Sequence, residues 1–291
     1  MAAPALRRRL RVPAPAVLVT SGLSPLALCV VVPRSRRRDV AVCALNMWAY
    51  IAAYEMPHDD PQHLAARARL KYPLVADRIL GLGVTPTIRL QRAFSAPGNL
   101  NRLERFLVWC HWIWFLVPHG SLAYVLLRRP EQFGRSAARM YAVFDIGAVF
   151  YWAIPTAPPW WASAQGLLPE RAVAVRRMMV EYGPEFWGDL WEPLYDVLGG
   201  NPLAAMPSLH FATSLMAAQV LSETGPVAGA VGWGYAGALG LALVYLGEHY
   251  VVDLLAGAAL EESVRRAAPR ATPAVELLTR RLDQLRGLAA G

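Results

Sequence analysis

Apolar residues in this chain gather in long blocks separated by short arginine-rich stretches, a pattern that predicts helices crossing a lipid bilayer. A crossing takes about 20 mostly apolar residues, because a helix rises about 1.5 Å per residue. Blocks of this kind lie at 39–56, 105–127, 140–157, 207–222, 227–246 and 250–266. The block 207–222 is short and carries His210, so hydropathy alone marks it weakly. Upstream, 14–33 is also apolar but holds Gly22 and Pro25 between flanking arginines, and it reads as re-entrant, disordered or an additional span. The expected fold is all-α, a polytopic membrane helix bundle of about six transmembrane helices over 39–266. A basic and apolar segment, 1–38, precedes it, and a basic tail, 267–291, follows.

Two connectors break the apolar rhythm. The first, 57–104, alternates charged and apolar residues, as in Asp77-Arg78-Ile79-Leu80 and Ile88-Arg89-Leu90-Gln91-Arg92, which suits helices lying in the headgroup layer. It reads either as a solvated connector or as a platform where anionic lipid headgroups meet arginines. The second, 161–205, carries Arg176-Arg177 and an aromatic run from Trp187, and it is the natural lid over whatever site the bundle holds.

Composition supports the bilayer independently of the pattern: hydrophobic residues make up 55% of the chain, charged residues 17%, and there are ten tryptophans. Arginines cluster at 7–9, 34–38, 128–139 and 265–281, and short basic loops stay cytoplasmic. With 128–139 and the tail inside, the spans between them bring 155–160, His210 and His249 to one outer face. The formal charge of +8 does not indicate a nucleic-acid partner. Only Lys71 among the basic residues is lysine, a bias expected of a GC-rich bacterial genome rather than of a binding patch. The expected location is therefore a bacterial cytoplasmic membrane, with the site facing the exterior. Cys29, Cys43 and Cys110 lie in or near apolar blocks without metal spacing and read as packing residues.

Two short stretches carry the candidate chemistry. Pro207-Ser208-Leu209-His210 looks like the opening of a helix whose first-turn N–H groups favour a phosphate. In His249-Tyr250-Val251-Val252-Asp253 the histidine and aspartate stand at i and i+4. On a helix they share a face, so the carboxylate can fix the imidazole's tautomer and stabilise its charge. Two histidines and an aspartate beside an anion pocket suit phosphoryl transfer. Asp145 stands within an apolar segment and is a functional candidate for that reason. His111 and His119 read as buried hydrogen-bonding groups, and His58 and His63, beside Asp59 and Asp60, as exposed ones.

At these stretches, and at Pro155-Thr156-Ala157-Pro158-Pro159-Trp160, the chain resembles the type 2 phosphatidic acid phosphatase (PAP2) superfamily over roughly residues 140 to 260. Within it, PSLH and HYVVD are most similar to the inositol phosphotransferase branch that includes the inositol phosphorylceramide synthases. The resemblance implies that His249 attacks the phosphorus of a lipid phosphodiester, oriented by Asp253, while His210 protonates the leaving oxygen. A lipid or polyol alcohol then takes the group from the phosphohistidine, and no metal or other cofactor is called for. Ser208, Pro158, Pro159 and Asp145 are the expected substrate-binding residues. The superfamily's phosphatase arginine would fall at Leu243, after Ala242, and the lysine that should precede Arg129-Pro130 is Leu122. Arg176 or Arg177 is the expected replacement for that missing clamp. Leu209 and Leu243 suggest a dry pocket that favours transfer over hydrolysis, the alternative being a lipid phosphatase using the same residues. A transporter would show paired interrupted spans and internal repeats, which the sequence lacks.

Overall fold

The apolar blocks become helices almost where the pattern puts them. The computed structural model describes residues 12–96, 98–168, 174–198 and 200–290; the arginines at 7–9 and part of the second connector lie outside these. In chain order the long helices begin with α1 (Ala14–Val31) and α2 (Arg36–Glu55), followed by three short ones, α3 (Pro61–Arg67), α4 (Lys71–Leu80) and α5 (Pro86–Phe94). Then come α6 (Arg102–Trp112), α7 (Leu116–Arg128) and α8 (Pro130–Ala153), and in the second connector α9 (Pro159–Ala164), α10 (Met178–Trp187) and α11 (Trp191–Leu198). The chain closes with α12 (Leu209–Ser222), α13 (Pro226–Tyr245) and α14 (Val251–Ala290). Among the described residues the only β pairing is a pair of parallel bridges, Arg69 to Thr156 and Thr156 to Ala204.

Among the described residues two helices, α1 and α13, are by themselves long and apolar enough to cross a bilayer. A third crossing is open to α6 and α7 together, which meet at a bend of 58°. Helices α2, α8, α12 and the start of α14 coincide with the remaining apolar blocks without meeting that length and composition alone. The stretch 14–31 is one continuous helix with Pro25 inside it, packed through Val17 on Ala52 of α2 and on Met56 just beyond its end. It is therefore neither a re-entrant loop nor a disordered one. Helix α14 runs from the site through 266 and into the tail without a break, and Arg34 holds that tail at Asp283, 2.8 Å away.

The weakest of the expected spans is the centre of the bundle. Helix α12 packs against α7, α8, α13 and α14, and Leu209, Ala212, Met216, Ala217 and Val220 are all buried in the core. A helix sheathed by protein on every side can be short and can carry a histidine, because its neighbours rather than lipid meet its surface. Close approach comes from glycines: at Gly232 of α13 an added Cβ would stand 2.8 Å from the Cα of Ala218, and at Gly257 of α14 it would stand 2.5 Å from the carbonyl oxygen of Ser208.

The two ends of α12 differ in chemistry. At its C-terminal end, Arg139 of α8 holds Glu223 through two bonds of 2.8 and 2.9 Å, and Arg135 adds a third at 3.2 Å. At its N-terminal end the Ser208 N–H donates to the Asp253 carbonyl over 3.0 Å, joining the starts of α12 and α14. The arginine cluster and the candidate histidines thus sit at opposite ends of a 14-residue helix, about 20 Å apart.

Candidate active site

Ser208 caps α12 by accepting the Phe211 N–H at its Oγ, 3.3 Å away, so His210 is the second residue of the helix. The sequence suggested that Pro207 and Ser208 open the helix; both precede it, because the cap needs an extended residue and Pro207 lies one position further out. Ser208 is fully buried, and its backbone and hydroxyl serve the α12–α14 junction. The Tyr151 hydroxyl fixes the same loop by donating to the Pro207 carbonyl at 3.0 Å.

His249 comes from the turn between α13 and α14. Helix α13 ends at Tyr245, and Gly247, with φ of 76°, reverses the chain so that the N–H groups of Glu248 and His249 both reach the Leu243 carbonyl, at 3.0 and 3.1 Å. His249 therefore precedes α14 instead of riding on it, and the expected shared helical face is a loop histidine above a first-turn aspartate. The i, i+4 spacing still brings them together: His249 Nδ1 is 3.5 Å from Asp253 Oδ2, and that oxygen also accepts the Tyr250 N–H at 2.8 Å. On the other side, His249 Nε2 meets His210 Nδ1 at 3.2 Å.

The three groups form a line, carboxylate, imidazole, imidazole. A proton on His249 Nδ1 facing Asp253 leaves Nε2 with its lone pair, and His210 then donates from Nδ1. That arrangement suits His249 Nε2 to nucleophilic attack and His210 to proton donation. The Asp253–His249 contact is long for a hydrogen bond, and it strengthens when the imidazole becomes charged.

Connector 57–104 builds the support beneath this turn, a role the sequence did not reveal. Asp77 of α4 is fully buried and accepts the N–H groups of Val251 and Val252, at 3.1 and 2.9 Å, at the N-terminus of α14. Thr87 donates to the Val244 carbonyl at 2.8 Å, and Gln91 to that of Tyr245 at 2.8 Å, closing the C-terminus of α13. Both helix ends at the His249 turn are therefore satisfied by α4 and α5, which lie under the site. The sign in the sequence was Asp77 four residues after Pro73, a charge on the buried face of an amphipathic helix. Burial pushes its carboxyl up to about 6, against the pull of the two N–H groups.

The proline-rich block is the other support. Thr156 pairs with both connectors, donating its N–H to Leu203 at 2.7 Å and accepting that of Ala205 at 3.1 Å, while Arg69 donates to Pro155 at 2.7 Å. Pro158 and Pro159 begin α9, which lets the Trp160 N–H reach the Gly247 carbonyl at 3.0 Å. The prolines thus brace the His249 turn.

Of the two candidate arginines, only Arg177 adjoins the histidines. Its guanidinium lies 3.7 Å above the Trp160 ring, donates to the Tyr195 hydroxyl at 3.0 Å and stands 3.7 Å from Glu248, the neighbour of His249. Burial raises the Glu248 carboxyl and Arg177 opposes that rise. Arg176 is committed elsewhere, with Glu181 on Nε, Glu104, Ser95 and Ala96 on one terminal nitrogen, and Glu181 again on the other. Asp145 faces α2, where Asn46 donates to it at 3.4 Å, and no site residue bonds it. His119 is a hydrogen-bonding group as expected, half-buried and 2.8 Å from the Phe115 carbonyl, but His111 is not: its ring packs on His210, centroids 4.8 Å apart. Leu209 fills the space beside Gly147, and Leu243 is buried among Leu239, Val244 and Leu254. Both leucines pack the bundle, so neither argues for a dry pocket.

A family model described as the PAP2 superfamily matches residues 74–261, well over half of the chain. The match reaches upstream of the resemblance noted above and takes in Asp77, Thr87 and Gln91. No curated protein and no solved structure matches the chain.

Proposed function

The chain belongs to the PAP2 superfamily, whose members act as phosphatases or phosphotransferases on lipid phosphates, and from that premise we propose that it moves a phospho-headgroup between membrane lipids through a phosphohistidine. The observation that carries this reading is the line from Asp253 through His249 to His210, with contacts of 3.5 and 3.2 Å. In the first step a bond forms between His249 Nε2 and phosphorus while the bond from phosphorus to the diacylglycerol oxygen breaks, and His210 gives that oxygen its proton. In the second, the acceptor hydroxyl loses its proton to His210, its oxygen bonds to phosphorus, and the bond to His249 breaks.

A phosphodiester suits the charge available better than a monoester does. Arg177 is the cation next to the histidines, and Glu248, 3.7 Å away, offsets part of its charge. A diester carries one negative charge and a monoester near neutral pH close to two. The inositol headgroup rests on the likeness of PSLH, HYVVD and the proline block to that branch. For the membrane arrangement we propose six spans, α2, the bent α6–α7 pair, α8, α12, α13 and the start of α14, with α1 packed outside them. The arginine-rich ends face the cytoplasm and the histidines the exterior.

Purified protein given phosphatidylinositol labelled in its headgroup should pass the label to an added lipid alcohol. It should also hold an acid-labile, base-stable phosphate on His249 in the acceptor's absence. Faster release of inorganic phosphate from phosphatidic acid than transfer of any headgroup would establish the phosphatase alternative.

A further inference from the structure

The crossing formed by α6 and α7 is broken where it passes the site. Helix α6 ends at Trp112, α7 starts at Leu116, and their axes meet at 58°. Irregular backbone at membrane depth is tolerated where protein surrounds it or a polar cavity adjoins it. Here the break is anchored to α12, because Trp114 donates its indole N–H to Thr213 at 3.0 Å and lays its ring 4.1 Å from that of His210. One residue before α6 ends, His111 stacks on His210 at 4.8 Å with 31° between the ring planes. Among the described residues its ring nitrogens make no hydrogen bond, and its side chain is only partly covered. It lies within electrostatic reach of both His249 and Arg177.

A packing role alone does not account for this residue. A leucine would fill the space against His210 without placing two polar ring nitrogens beside it. His111 thus stands with His210, His249 and Arg177, the groups among which a phosphoryl group undergoing transfer would be held. The superfamily's arginine position is Leu243, so the oxygens of that group lack one of their usual partners.

We propose that His111 is a third histidine of the reaction centre, donating an N–H from its neutral ring to a non-bridging oxygen of the phosphoryl group while Arg177 holds the other. The role rests on the phosphoryl-transfer reading above but concerns a different residue and a different step. His249 and His210 make and break the bonds; His111 stabilises the charge that develops on the oxygens between them.

Gln and Leu at position 111 separate this role from packing and from proton transfer, since Gln keeps an N–H donor that cannot titrate and Leu keeps only bulk. Turnover of labelled phosphatidylinositol should fall about 10²-fold in kcat for His111→Leu, the usual effect of losing one such donor. His111→Gln should stay within about tenfold of the parent and keep its pH profile. Orthovanadate, followed by quenching of tryptophan fluorescence, should bind the parent and His111→Gln and bind His111→Leu at least tenfold more weakly, with His63→Ala as a surface control. Equal loss in the Gln and Leu variants would make His111 a proton carrier and overturn the proposed role, and parental turnover and vanadate binding in His111→Leu would remove it from the site. An inactive parent that still binds orthovanadate through His111 would instead count against the lipid substrate.

Discussion

Replacing Gly257 with alanine tests whether the site depends on how closely α14 approaches α12. The new methyl would stand 2.5 Å from the Ser208 carbonyl oxygen, against about 3.4 Å for an ordinary contact. Both partners are backbone, so the relief must come from the helices, which have to part by about 0.9 Å at that level. The strain has two opposed effects on stability. Overpacking of this kind costs about 1–3 kcal/mol, while alanine is the better helix former by about 1 kcal/mol, leaving a net loss of roughly 0–2 kcal/mol. Activity has no such compensation. The bond from Ser208 N–H to the Asp253 carbonyl, 3.0 Å long, lies one turn from Gly257, and parting the helices there moves Asp253 and His249 away from His210. A displacement near 1 Å of reacting groups costs about 10²-fold. Headgroup transfer should therefore fall by about that factor, while the unfolding midpoint in detergent shifts little. Gly237→Ala on α13, where an added methyl meets nothing within 4 Å, should leave transfer unchanged. Parental transfer in Gly257→Ala would mean that the spacing of these helices does not position the histidines.

His249→Ala should abolish both transfer and the trapped phosphate, whereas Asp253→Asn, which keeps the shape but not the charge, should retain activity reduced by about 10³–10⁴-fold; comparable rates in His249→Ala and the parent would end the phosphohistidine reading. For Asp77 the folded carboxyl, pushed up to about 6 by burial, lies above the usual value of about 3.9, so the protonated form is the one that folding favours. Its contribution is complete below pH 4 and is lost as pH rises to 6, so the stability of the parent relative to Asp77→Asn should fall across that window by roughly 1–3 kcal/mol and level off above it. A flat difference in unfolding measurements from pH 4 to 7 would contradict the burial described for Asp77. Cysteines placed at Gly134 and Asp189, both exposed, in a background lacking Cys29, Cys43 and Cys110 should separate under an impermeant maleimide on intact cells, with only the second labelled. Labelling of the first alone would invert the orientation.

The helices were legible because lipid and protein interiors both reward continuous apolar runs, and each of the six blocks begins or ends within a few residues of a helix end. The block 105–127 nevertheless holds two helices instead of one: hydropathy sums composition and cannot register a bend, so the break at Ile113–Phe115 and the approach of His111 to His210 were invisible. His210, His249 and Asp253 could be read because their spacing states their chemistry. Their supports could not, since Thr87 and Gln91 bond to carbonyls more than 150 residues away, which leaves no local pattern. Arg176 and Arg177 are indistinguishable in sequence, and only the positions of Glu104 and Glu181 decide which of them has its charge already matched.

The capping of the His249 turn by Asp77, Thr87 and Gln91 changes what counts as a transferable unit in this chain. A graft that takes only the stretch bearing the two histidines would carry away the four backbone groups of Val244, Tyr245, Val251 and Val252 whose partners stay behind, and the turn would refold to satisfy them. Chimeras made to exchange headgroup or acceptor preference should therefore keep α4 and α5 together with α13 and α14 from one parent. The interchangeable parts are α10 and α11, which close neither helix end beneath His249.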